Sequence, residues 1–67
     1  MKTPEDVRAK ENEILTTIAE RLSEKLPQSE VYEMIDDIVK VSIIVRLCMK
    51  ENYKPDIAYK LLDEIGK

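Results

Sequence analysis

The sequence predicts an all-α fold of two long antiparallel helices plus a short carboxyl-terminal helix, self-associating into a helical bundle through the central helix. Three observations lead there. Apolar residues recur at steps of three and four in three successive segments, the pattern of amphipathic helices. Pro4, Pro27 and Pro55 stand where helices would start or stop. The central segment is also too apolar for its neighbours to cover, since nine of the twelve residues from Ile38 to Met49 are apolar.

The first helix is expected over 4–26. Thr3 can cap it, Pro4 suits the first helical position, and Glu5 and Asp6 lie at the positive end of the helix dipole. Val7, Ile14, Leu15, Ile18, Ala19, Leu22 and Leu26 then keep to an arc of about 140°. Asp6 and Lys10 are spaced for an i,i+4 ion pair. Pro27 disfavours helical geometry at Leu26 and closes the segment.

Pro27-Gln28-Ser29 reads as a short turn with Ser29 capping a second helix over 29–51, and Glu30 and Glu33 as its early acids. So short a connection makes the first two helices antiparallel neighbours. The inward stripe is Val31, Met34/Ile35, Ile38, Val41/Ser42, Val45 and Cys48/Met49. Asn52 offers a left-handed stop.

A strand also fits part of this segment, because Val39, Val41, Ile43, Val45 and Leu47 alternate with Lys40, Ser42, Ile44 and Arg46. The helix is preferred. Its pattern extends back through Glu33–Asp37, no Gly or Pro lies between Gln28 and Lys54, and no second strand is available. A ribbon at Val39–Leu47 shared between two copies would loosely resemble ribbon-helix-helix regulators. The chain departs from that plan, because a long helix precedes the ribbon and only one follows.

The third helix is expected over 55–65, opened by Pro55 and Asp56 and ended by Gly66, the only glycine. Ala58, Leu61, Leu62 and Ile65 form its apolar face, with Asp56 and Lys60 paired outside. It is too short to be stable alone, so it must dock, most naturally on the carboxyl-terminal half of the second helix.

Size sharpens the need for cover. In chains below about 70–80 residues one core rarely supplies more than ~3–5 kcal/mol. This 67-residue chain forms one domain, 1–67, and has one cysteine and no histidine, which leaves neither a disulfide nor a structural zinc site as a staple. Oligomerisation remains, most simply as a twofold dimer. With Lys40 at the top of a helical wheel, Ile43, Ile44 and Leu47 lie within about 60° of it. The expected interface is therefore Ile43, Ile44 and Leu47, with Tyr32 and Val39 at its margin and Lys40 and Arg46 among them. Lys40 and Arg46 either extend along apolar surface with wet heads or pair with Glu33, Asp36 or Asp37 of a second copy.

No catalytic, cofactor-binding or metal-ligating residue is expected. Glu30, Glu33, Asp36 and Asp37 lack the histidine that carboxylate-bridged metal sites in bundles use, and early helical acids account for them. Cys48 sits among Val45, Leu47 and Met49 with no base nearby, and reads as a small buried hydrophobe. Tyr32 and Tyr53 read as packed rings with wet hydroxyls. A single glycine rules out a glycine-rich phosphate cradle.

Charged residues make up 37% of the chain, net −3, with both signs interleaved. That is unlike a nucleic-acid binder, which gathers Lys and Arg on one face. The first residues read as charged helix rather than a leader, and the longest apolar run is far short of the ~20 residues that span a bilayer. A lone thiol fits a reducing compartment, with cytoplasm the default. The expected role is a small protein–protein interaction module: a regulator, adaptor or inhibitor that binds itself and another protein. Two alternatives stand beside it. One is a dimeric nucleic-acid-associated transcriptional regulator that collects Lys10, Arg21, Lys25, Lys54 and Lys60 into a patch. The other is a subunit of a hetero-complex in which a different protein covers the second helix.

Overall fold

Caps and prolines divide the chain into three helices: α1 (Pro4–Leu22), α2 (Gln28–Lys50) and α3 (Pro55–Ile65). They are seen in a computed structural model that describes residues 1–66 and contains no strand among them.

The start of α1 is as expected. The Thr3 hydroxyl accepts the Asp6 backbone N–H at 3.3 Å, and the Asp6 carboxylate accepts the Thr3 backbone N–H at 2.9 Å, a reciprocal capping box. The Thr3 backbone N–H first, and then the Thr3 hydroxyl, which donates to the same carboxylate at 3.2 Å, hold the Asp6 carboxyl below its ordinary pKa. The end comes a turn earlier than expected, at Leu22 rather than Leu26. The Ser23 hydroxyl donates to the Glu20 carbonyl at 2.6 Å. Ser23 and Glu24 N–H groups turn to the carbonyls of Glu20 and Arg21, so the last turn tightens and the helix stops. The connection is therefore residues 23–27, and Leu26 packs on the core from outside any helix.

Ser29 does not cap α2. The helix begins at Gln28, and the Pro27 carbonyl accepts the N–H groups of Glu30 and Val31. From there α2 runs unbroken to Lys50, so no ribbon forms at 39–47. Its stop matches expectation: Asn52 is left-handed at φ 53, and the Leu47 carbonyl accepts the N–H groups of Glu51 and Tyr53.

α3 has the expected bounds, but Gly66 is right-handed, at φ −75. Its lack of a side chain matters for another reason. A Cβ there would lie 3.3 Å from Ile14 Cγ1, so the backbone at Gly66 comes close against α1.

Each helix packs on the other two. Lys2 lies beside Asp56, Lys10 beside Asp63 and Ile14 beside Gly66, so α1 and α3 run parallel with α2 antiparallel to both. Val7, Ile14 and Ile18 meet Met34, Val41, Val45 and Cys48 of α2 and Ala58 and Leu62 of α3 in one core. The expected dock for α3, on the back half of α2 alone, is thus only half of the arrangement. α3 lies in the groove between α1 and α2 and is tied to α1 by ionic contacts. Lys10 reaches Asp63 at 3.1 Å and Glu13 at 3.6 Å, and Lys2 lies 4.1 Å from the centre of the Tyr59 ring. Asp6 serves the cap and Asp56 accepts the Lys2 backbone N–H. Neither expected i,i+4 pair, Asp6–Lys10 or Asp56–Lys60, forms among the described residues. With 11 residues against 23, α3 covers only one end of the hairpin, about 16 Å against about 35 Å of helix. Ala19 and Leu22, expected inward, are exposed beyond its reach.

Candidate functional site

The candidate site is the side of α2 turned away from the core. Buried Met34, Val41, Val45 and Cys48 lie along one side of the helix. Stepping 100° per residue, Tyr32, Ile35, Val39, Ile43 and Leu47 fall on an arc of about 120° centred on the opposite side. These side chains are exposed by 61, 49, 50, 54 and 41%. A helix with one apolar face against its neighbours and a second facing solvent has surface left to cover.

Of the expected interface residues, Tyr32, Val39, Lys40, Ile43, Arg46 and Leu47 are all exposed. Ile44 is the exception. It lies 100° round from Ile43, which turns it toward α3, and it is half-buried against the core. Ile35 takes its place on the open face. The sequence offered Met34 and Ile35 as one inward position, and the bundle takes Met34 in and leaves Ile35 out. The signal that could have separated them is the spacing of Ile35 with Tyr32 and Val39, by three and four. Ser42 is likewise exposed beside buried Val41.

The face extends onto α3, which the sequence did not suggest. Leu61, expected inward, is exposed with Ile57. A shallow cavity of about 320 Å³ between the helices is lined by Ile43, Ile44, Leu61 and Ile65, with Lys40 and Glu64 at its rim.

The charges on the face differ in kind. Lys40 Nζ lies 2.9 Å from the Asp36 carboxylate of its own helix, and that bond raises the Lys40 pKa. Arg46 makes no ion pair among the described residues. Asp37 is half-buried and Glu33 exposed on the flank. The Tyr32 hydroxyl accepts a hydrogen bond from the Gln28 amide at 2.8 Å, which holds the ring along the helix.

Other candidate residues offer little chemistry. Cys48 is buried in the core. No group of three or more His, Cys, Asp or Glu side chains is placed to hold a metal ion among the described residues. A second cavity of about 210 Å³, where α3 ends, mixes Lys10 and Arg21 with Glu13 and Asp37. Two of the five basic residues considered for a nucleic-acid patch are engaged by acids, Lys10 by Asp63 and Glu13, and Arg21 by Glu30 at 3.4 Å. Among the described residues no helix is long and apolar enough to cross a membrane.

Comparison with protein-family models, curated proteins and solved structures finds no match. The functional reading rests on the surface of α2.

Proposed function

We propose that this protein is a small non-catalytic interaction module, a regulator, adaptor or inhibitor, that works as a homo-oligomer through the outward face of α2. One observation carries the reading: Tyr32, Ile35, Val39, Ile43 and Leu47 form a single exposed apolar stripe along the helix. Covering the open half of each such side chain is worth roughly 1 kcal/mol. With nine buried core residues among those described, the total is comparable with the ~3–5 kcal/mol that one small core supplies. The neutralisation of Lys10 and Arg21 by acids favours a protein partner over a nucleic acid. The reduced, buried Cys48 suits the cytoplasm, where we place the protein.

Ile43→Asp tests this. Its side chain is more than half exposed, so the variant should keep its helical circular dichroism and sediment as a monomer, while the wild type sediments as a dimer or larger. A wild type that stays monomeric at millimolar concentration would refute the reading.

A further inference from the structure

The outward face has a symmetry that fixes how a second copy would lie on it. Tyr32, Asp36, Val39, Ile43, Arg46 and Lys50 recur in alternating steps of four and three, the seam spacing of a two-helix coiled coil. All six are exposed. The series is centred on the level of residue 41, and reading it from either end gives complementary chemistry. The two apolar members, Val39 and Ile43, flank the centre. Outside them an acid, Asp36, is matched at equal distance by a base, Arg46. At the ends the Tyr32 ring is matched by the Lys50 ammonium.

We propose that two copies pair antiparallel along α2, about a twofold axis crossing the seam at the level of Val41. This rests on the reading of the α2 face as self-associating and adds its geometry. In that register each layer joins a residue to its mirror position: Val39 to Ile43 of the partner subunit, Asp36 to the partner's Arg46, and Tyr32 to the partner's Lys50. The charge pair occurs twice, once on each side of the apolar centre.

Three features of the chain favour this arrangement. Arg46 is exposed, has no partner in its own chain among the described residues, and has five donors suited to a carboxylate. Asp36 holds Lys40 with one oxygen and has room for a second cation, its side chain being 63% exposed. A parallel pair in register would instead bring Asp36 against Asp36 and Arg46 against Arg46, which is repulsive at both layers. Charged residues at seam positions reduce affinity but select one register and direction. Ile35 and Leu47, just off the seam, widen the contact without setting its direction.

Charge reversal tests the register with the full chain, by sedimentation equilibrium alongside circular dichroism. Arg46→Glu alone and Asp36→Arg alone each place like charges together twice, and each should weaken dimerisation about tenfold or more. The double variant D36R/R46E restores opposite charges in both layers and should recover to within about threefold of the wild type. A wild-type dimer indifferent to Arg46→Glu, or a double variant no better than the singles, would overturn the register while leaving self-association intact. A monomeric wild type would remove both.

Discussion

Lys40 and Arg46 look alike in the sequence, two cations set into an apolar run, yet the fold treats them differently. The i,i+4 geometry of one helix gives Lys40 its acid, Asp36. Arg46 has Ser42 and Lys50 at those spacings and makes no ion pair among the described residues. At the other end of the chain, Thr3 shows how much one side chain can fix. Its hydroxyl satisfies an N–H that α1 would otherwise leave open, and Thr3→Ala should cost about 1 kcal/mol in urea unfolding. The reciprocal carboxylate makes the cap sensitive to acid. Asp6 is depressed below the ordinary aspartate value of 3.8, chiefly by the Thr3 backbone N–H. Its contribution is therefore fully present above 3.8 and is lost as the pH falls through the lower folded-state value. The acid-side slope of the urea midpoint should be shallower in Asp6→Asn than in the wild type. Equal slopes would show that the cap does not titrate.

Among the elements, α3 was the most legible in its bounds and the least in its role. Pro55 and Gly66 mark it in the sequence, but local spacing carries no information about which neighbours an 11-residue helix chooses. The ion pair from Lys10 to Asp63 and the approach of Gly66 to Ile14 are long-range facts. The early end of α1 has instead a local cause: Pro27 marks the last possible boundary, whereas Ser23 closes the helix through the Glu20 carbonyl. The open face of α2 was legible to within one residue on each side, at Ile35 and Ile44. Periodicity yields a stripe, and only the positions of α1 and α3 decide how it is rotated. Leu62 is fully buried where α3 meets the rest. Truncating such a leucine costs about 2–5 kcal/mol, most of what a core this small supplies. Leu62→Ala should lose cooperative thermal unfolding altogether, and a variant that still melts sharply near the wild-type temperature would show that α3 is dispensable.

For the molecule as a whole, shape and stability point the same way. The bundle measures 38 × 16 × 16 Å, so the outward face of α2 runs along its long axis. A second copy laid along that axis thickens a thin body, which shelters apolar surface with little added length. Stability then becomes a property of concentration. Where folded dimer is in equilibrium with unfolded chains, each tenfold rise in protein adds about 1.4 kcal/mol per mole of dimer. The thermal midpoint of the wild type should therefore climb steadily as the protein is concentrated. Ile43→Asp should show a lower midpoint that does not move, because its unfolding no longer includes dissociation. The comparison separates two ways in which a small helical bundle can persist. A wild-type midpoint as flat as that of the variant would mean that the buried core sustains the fold unaided and that the face of α2 serves only a foreign partner.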